Sequence, residues 1–252
     1  MNDPQFESLF FELYESLPRQ GPGNRASAEK ALEMCAGLPE APKVLDMGCG
    51  TGAQTCYLAE MTGGTILAMD NHTPFIEQLN AVIAKKGFSG RVKAQIGDMA
   101  RPELPPEHFD LIWSEGALYS VGLDTSLPVC HKLLRPGGRL VFTEAIWRKD
   151  DPPAELKAGF EADYPTMGRL EEAIRRVTEC GFELIGHFML PDEAWWDDFY
   201  TPMKARIQEL RTKYAGEPAI LSIVDEMARE PELHKRYSDY YAYEYIVARK
   251  PQ

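Results

Sequence analysis

The sequence predicts an α/β fold in which a doubly wound, mostly parallel sheet carries helices on both faces. Short β-branched or apolar runs alternate with helical ones from residue 42 onward, a rhythm that favours parallel strands joined by helices. The helix between the second and third runs has clear signals, with Thr73 as N-cap, Pro74 at its first position and Gly87 at its end. The length of 252 residues suits one large domain or a domain with a lid.

Residues 1–40 precede the sheet pattern and are predicted to form a helical clasp. A turn-rich stretch, Pro18–Asn24, separates a first helix from a second one that ends near Gly37. The apolar positions of the first helix recur at helical spacing and are Phe6, Leu9, Phe10, Leu13 and Leu17.

Seven strands are predicted, and together they make a Rossmann-like sheet. They are Lys43–Met47, Thr65–Asp70, Arg91–Ile96, Phe109–Ser114, Arg139–Glu144, Phe182–Leu190 and Tyr240–Lys250. A helix with Thr166 as its cap and Gly181 as its stop precedes the sixth strand.

Residues 191–239 lie between the last two strands and show no strand pattern. They contain one helix with Met203, Ile207, Leu210 and Tyr214 on one face, and another with Leu221, Val224 and Met227. A long helical insertion at the loop edge of a sheet predicts a lid. We therefore expect residues 1–252 to form a single domain with a clasp and an inserted lid.

Composition limits the partners and the location. The 39 acidic and 27 basic residues give a net charge of −12, which argues against nucleic acid and anionic membranes as partners and favours a small or cationic molecule. The five cysteines form no CxxC pair, so neither a metal site nor a disulfide framework is expected. The N-terminal segment lacks signal-peptide features, and no apolar run reaches the roughly 18 residues that span a bilayer. We expect a cytoplasmic protein that is a monomer or a homodimer.

The strongest chemical signal is a glycine loop that directly follows the first strand. The run Val44–Gly52 (VLDMGCGTG) delivers an acidic residue and then three glycines into the start of a helix, where backbone amides can approach a ligand closely. The same letters, extended to Ala53, also satisfy the G-x-G-x-x-A fingerprint of dinucleotide-binding folds. The loop alone leaves both cofactor classes open.

Three acidic residues follow strands near this loop, and two of them, Asp46 and Asp98, help to choose between these classes. Asp46, beside the loop, would repel a pyrophosphate but can receive an ammonium group directly or through water. Asp70, at the end of the second strand, can accept both ribose hydroxyls of either nucleoside cofactor. Gly97-Asp98-Met99 adds a third feature after the third strand, where Asp98 could accept an adenine amino group and Met99 could pack on the ring. A dinucleotide fold does not need that third feature.

With these residues the chain resembles the class I S-adenosylmethionine-dependent methyltransferases. The resemblance covers roughly residues 41–147 and also includes the strand Phe109-Asp110-Leu111-Ile112 and the turn Leu134–Gly138. It implies that Asp46 and the loop backbone hold the methionine moiety, that Asp70 holds the ribose, and that Tyr240–Lys250 is an antiparallel last strand between the fifth and sixth strands. The full set of cofactor-binding candidates is Asp46, Gly48, Cys49, Gly50, Gln54, Asp70, Asn71, Gly97, Asp98, Met99, Ser114 and Glu115.

The methyl acceptor is expected beside the loop Trp113–Tyr119, which follows the fourth strand. Glu115 and Tyr119 are candidates for positioning the acceptor as catalytic residues, and the substrate candidates are Tyr14, Tyr119, Trp195, Trp196 and Tyr200. Transfer by in-line displacement depends mainly on holding the nucleophile close to the methyl group, so a dedicated base is optional.

The predicted function is methyl transfer from S-adenosyl-L-methionine to a small molecule. Two alternatives are an NAD(P)-dependent oxidoreductase that uses the same loop, and a non-catalytic binding module with a methyltransferase fold. The sequence does not identify the acceptor atom.

Overall fold

A seven-stranded sheet lies at the centre of the protein, and its order is β3-β2-β1-β4-β5-β7-β6. The structure is a computed structural model that describes residues 4–252, except for the side chains at positions 162 and 163. The strands are β1 Lys43–Met47, β2 Thr65–Asp70, β3 Val92–Ile96, β4 Phe109–Ser114, β5 Leu134–Trp147, β6 Glu183–Met189 and β7 Tyr241–Arg249.

Helices cover both faces of the sheet. They are α1 Pro4–Tyr14, α2 Arg25–Glu33, α3 Ala53–Met61, α4 Thr73–Lys85, α5 Leu123–Leu133, α6 Ala154–Asp163, α7 Leu170–Glu179, α8 Glu193–Trp195, α9 Thr201–Lys213, α10 Pro218–Met227 and α11 Arg229–Tyr237. A π-helical segment, Trp196–Tyr200, joins α8 to α9. Each face has its own buried apolar cluster, as expected for a sheet packed on both sides.

The predicted fold class and the position of the last strand are confirmed. Strands β1 to β5 pair in parallel, whereas β7 runs antiparallel to both of its neighbours, β5 and β6. The ends of β1, β2 and β4 therefore meet at one edge of the sheet, which we call the carboxyl edge. That edge is where ligands bind in open α/β sheets.

Several predicted boundaries are wrong. Thr73 is the first residue of α4, and His72 precedes it as the cap. Thr166 is not the cap of α7, because Arg169 occupies that position and the side chain of Glu172 accepts a hydrogen bond from its backbone N–H. Strand β5 continues to Trp147 because it pairs with β7 along its whole second half.

The clasp helix α1 and the lid helices pack against each other over the carboxyl edge. Glu12 of α1 accepts hydrogen bonds from Lys213 and Tyr214, both at 2.7 Å. In the lid, the ring centroid of Trp195 lies 5.5 Å from that of Tyr241 at the start of β7, and Tyr241 pairs with the last residue of β5. Within residues 4–252, no helix is long and apolar enough to cross a membrane.

Candidate functional site

The glycine loop leaves β1 in a conformation that only glycine adopts readily. Gly48, Gly50 and Gly52 have φ values of 72°, 53° and 91°, in the left-handed region that disfavours side chains. The amides of Gly48 and Cys49 donate to the carbonyl of Met69 at 2.8 and 3.0 Å. These two hydrogen bonds hold the loop against the end of β2.

Asp46 lies beneath this loop and is fully buried. Thr55 Oγ1 donates to one carboxylate oxygen at 2.5 Å, and Gln54 Nε2 approaches the other at 3.3 Å. Burial raises the pKa of Asp46 to about 7, although the hydrogen bond from Thr55 opposes the shift. Gln54 Nε2 also donates to the carbonyl of Gly48 at 3.4 Å, so Asp46 and Gln54 support the loop from below.

Asp70 connects the glycine loop to the end of β2. Its Oδ2 accepts from the amide of Gly50 at 2.9 Å, and its Oδ1 accepts from the amide of His72 at 2.9 Å. A carboxylate offers about four acceptor positions, and this one is only half-buried. It can therefore accept two further donors, which fits the two adjacent hydroxyls of a ribose.

The segment after β3 lies at the same edge. The amide of Gly97 donates to the carbonyl of Asp70 at 2.9 Å, and exposed Asp98 accepts from the amide of Ala100 at 2.8 Å. A Cβ atom added to Gly48 would lie 3.3 Å from Cε of Met99, so Met99 borders the loop. Asn71, directly after Asp70, is exposed.

The last residue of β4, Ser114, and the residue that follows it, Glu115, make buried contacts. Ser114 Oγ donates to the carbonyl of Met47 at 2.8 Å. Glu115 accepts from Trp113 Nε1 at 2.7 Å and from Arg19 Nη2 at 2.5 Å. Both oxygens of Glu115 are thus occupied by protein donors, and its side chain is 1% exposed.

Sequence reasoning missed Arg19 and Gln20, two residues of the clasp that contact the site. Gln20 Oε1 accepts from the amide and hydroxyl of Thr51 at 2.9 and 3.0 Å, and its Nε2 donates to the carbonyl of Tyr14 at 3.2 Å. Only the turn-rich composition of Pro18–Asn24 marked this segment, and that composition carries no signal of a long-range partner. The clasp therefore closes directly onto the glycine loop.

The substrate candidates other than Tyr119 lie close together and differ in the contacts they make. Tyr14 and Tyr200 both donate from their hydroxyls to the carboxylate of Glu230, at 3.2 and 3.0 Å, and Glu230 was also missed from the sequence. Trp195 is 5% exposed and stacks on His234 with ring centroids 4.3 Å apart. Trp196 is half-buried, 5.5 Å from Tyr200. The structure thus groups the tyrosines and directs Trp195 into the packing of the lid.

Tyr119 contacts Tyr164, a residue that lines a cavity of about 390 Å³ at the end of β5. Its ring centroid lies 5.4 Å from that of Tyr164, which lines the cavity with Trp147, Phe160 and Met167. The volume lies in the range of small-molecule sites. Within the part of the chain that is described, no cluster of three or more histidine, cysteine or acidic residues could hold a metal ion.

Known proteins match this chain over the residues that form the glycine loop and the strands around it. Residues 44–138 match a family model described as a methyltransferase domain. The sterol 24-C-methyltransferase of Pneumocystis carinii is 29% identical over 168 residues, which cover 64% of this chain and 45% of that protein. The chain spans about half the length of the curated relatives it matches.

Solved structures resemble the chain over nearly its whole length. A SAM-dependent methyltransferase from Geobacter sulfurreducens, in complex with S-adenosyl-L-homocysteine, superposes with a TM-score of 0.80 at 18% identity, covering 99% of both chains. YjhP from E. coli superposes with a TM-score of 0.81 at 17% identity, covering 97% of this chain and 99% of that one. At these identities the likeness shows the fold. These similarities give no support to the dinucleotide-dependent alternative.

Proposed function

We propose that this chain is a class I S-adenosylmethionine-dependent methyltransferase, an enzyme that transfers a methyl group from S-adenosyl-L-methionine to a small molecule, and its similarity to methyltransferases supports the proposal. The observation that carries the proposal is the bond between Asp70 and Gly50. It fixes a half-buried carboxylate against a glycine loop whose remaining surface lies at the carboxyl edge. A nucleoside with a charged amino-acid tail fits that pairing.

The residues present fit the rest of the cofactor. Asp98 and Met99 would border the adenine, Asp70 would accept the ribose hydroxyls, and the loop Gly48–Gly50 would hold the amino-acid end above Asp46. Bound there, the cofactor would supply an activated methyl group on a positively charged sulfur. The walls of the cofactor site would be completed by other residues at the same edge, namely Ser114, Cys49, Gln54, Asn71 and Gly97.

Of the two acceptor-positioning candidates, the geometry favours Tyr119. Glu115 already accepts from Arg19 and Trp113, so we assign it to anchoring the clasp. Tyr119 is half-buried, and its ring contacts that of Tyr164, which lines the cavity. The acceptor would lie between Tyr119 and the lid, with its remainder in that cavity, while residues 1–40 and 191–239 exclude water from the site.

A ligand-dependent shift in melting temperature tests the cofactor. A ligand that binds the native state alone raises the melting temperature. S-adenosylhomocysteine should therefore stabilise the protein, whereas NADH at the same concentration should not. Formation of S-adenosylhomocysteine from a panel of amines, thiols, phenols and carboxylates then tests turnover. Stabilisation by NADH alone would overturn the proposal, and cofactor binding without any turnover would favour a binding module.

We also propose that the protein works in the cytoplasm as a monomer or homodimer. All five cysteines are free thiols, four of them buried, which supports a reducing compartment. Sedimentation at micromolar concentration would measure the oligomeric state.

A further inference from the structure

Four tyrosines and one glutamate from five separate segments meet where the clasp, the lid and the sheet converge. They are Tyr14 of α1, Tyr119 after β4, Tyr200 before α9, Glu230 of α11 and Tyr243 of β7, and we call them the tyrosine–glutamate cluster. Glu230 accepts from Tyr14 and Tyr200 at 3.2 and 3.0 Å. Burial, then Glu230 and Tyr119, raise the pKa of Tyr14, and burial, then Tyr119 and Glu230, raise that of Tyr243.

Three contacts place this cluster next to the glycine loop and the segment after β4. A Cβ atom on Gly48 would collide with Ala117, two residues before Tyr119. The ring of Tyr243 lies 3.7 Å from the position that a Cβ of Gly116 would take. The carbonyl of Tyr14 is joined through Gln20 to Thr51 of the loop. The cluster therefore borders the place where a methyl group would be presented.

The cluster retains surface that a ligand can reach. Tyr14, Tyr119 and Tyr243 are each half-buried and Glu230 is exposed, although elements of the clasp, lid and sheet surround them. Trp195 packs against Tyr243 from behind, with ring centroids 4.9 Å apart, and so holds one wall of the cluster in place.

We propose that the tyrosine–glutamate cluster binds a small amine as its ammonium ion, so that the acceptor is an amine. The bound ammonium would have to lose a proton, which the Glu230 carboxylate can accept, before the freed nitrogen lone pair could take the methyl group and release S-adenosylhomocysteine. The inference rests on the proposed methyl transfer and names its substrate class. Aromatic faces attract cations through the ring quadrupole, and the carboxylate of Glu230 supplies the opposite charge. A carboxylate or phosphate in the same place would be repelled by Glu230. A neutral phenol or thiol could only donate a hydrogen bond to it, as Tyr14 and Tyr200 already do, and would lack the attraction between opposite full charges. The net charge of −12 also attracts cations to the site.

A pair of probes that differ only in charge tests this inference. Choline carries a quaternary nitrogen, and 3,3-dimethylbutan-1-ol, called dimethylbutanol below, is its neutral carbon isostere. Calorimetry with the protein saturated in S-adenosylhomocysteine should show choline binding at least about tenfold more tightly than dimethylbutanol. Glu230→Gln should remove most of that preference. Glu232→Gln is the matched control, because Glu232 lies in the same helix, is exposed and pairs with Lys204, and it should leave the preference unchanged.

A second variant protects the test against misfolding of Glu230→Gln. Tyr119→Leu removes one ring face and should weaken choline binding severalfold while S-adenosylhomocysteine still binds. Equal affinity for the two probes, or an unchanged preference in both variants, overturns the amine assignment and leaves the proposed function standing. Absence of S-adenosylhomocysteine binding by the wild-type protein overturns the proposed function and, with it, this inference.

Discussion

Nη2 of Arg19 lies 2.5 Å from Oε2 of Glu115, and the two side chains are only 4% and 1% exposed. This ion pair ties the clasp to the segment after β4, next to the glycine loop. Gly23 permits it, because a Cβ atom there would collide with the guanidinium. A buried charge is tolerated only when its partner is present, so the position of the clasp and the folding of the sheet edge depend on each other.

Arg19→Met should therefore destabilise the protein strongly. The change leaves the Glu115 carboxylate buried without its counter-charge, and such losses typically cost about 3–5 kcal/mol. Urea unfolding measures the effect. Arg25→Met, which breaks exposed pairs with Glu29 and Glu60, should cost less than about 1 kcal/mol. Similar losses in the two variants would contradict the importance of the buried pair.

Gly50→Ala should weaken both stability and cofactor binding. The methyl group would collide with Gln20 Oε1 and would force a side chain into a φ of 53°. Adding Gln20→Ala to Gly50→Ala should restore only the stability that is lost through the collision. The left-handed backbone conformation of the alanine would still cost about 1 kcal/mol. Melting curves and calorimetry of the single and double variants separate the cost of the collision from the cost of the backbone conformation. Full recovery in the double variant would mean that the backbone conformation carries no strain.

Glu144 should make stability depend on pH. Its side chain is 3% exposed, and burial raises its pKa to about 7 from an ordinary 4.5. Between these values the unfolded chain releases a proton that the folded protein keeps, so the free energy of unfolding falls as pH rises. Relative to Glu144→Gln, the wild-type protein should lose about 3 kcal/mol between pH 4.5 and pH 7. A difference between the two proteins that stays constant over this range would show that Glu144 titrates normally.

Trp195→Ala should destabilise the lid rather than alter the cofactor site. The indole stacks on His234 and meets Tyr241 and Tyr243 edge-on, so its removal leaves a cavity worth about 3–5 kcal/mol. Affinity for S-adenosylhomocysteine should change by less than about twofold. Trp196→Ala removes a half-buried ring and should lower the free energy of unfolding by less than Trp195→Ala does. If stability were unchanged and methyl transfer were lost, Trp195 would contact the acceptor, as the sequence suggested.

The strands of the sheet could be predicted from the sequence because most of them are continuous runs of apolar residues. Strands β1, β2 and β4 have their predicted bounds, since each run is apolar and ends at a glycine, proline or polar break. Helix α11 escaped prediction because Pro231 interrupts its pattern. The proline lies in the first turn, where its missing N–H has no partner in the helix to lose.

The contacts that close the site were not predictable from local pattern. Arg19 pairs with a residue 96 positions away, and Gln20 bonds to Thr51 across 31 positions. In the sequence, Glu230 looks like any charged residue in the first turn of a helix. Its contacts with Tyr14 and Tyr200 exist only in the folded protein. Glycines and strand-end carboxylates signal a cofactor through local sequence, whereas an acceptor site assembled from five segments has no such signal.

Calorimetric titration of S-adenosylhomocysteine into the wild-type protein and Asp70→Asn tests the central claim most directly. The carboxylate that bonds Gly50 should also accept the ribose hydroxyls, and charge-assisted bonds of this kind are worth about 1.5–3 kcal/mol each. We expect wild-type binding and an affinity at least about tenfold weaker in a folded Asp70→Asn, with Glu77→Gln, an exposed carboxylate of α4, unchanged. Unaltered affinity in Asp70→Asn, or no binding by the wild-type protein, would contradict the account.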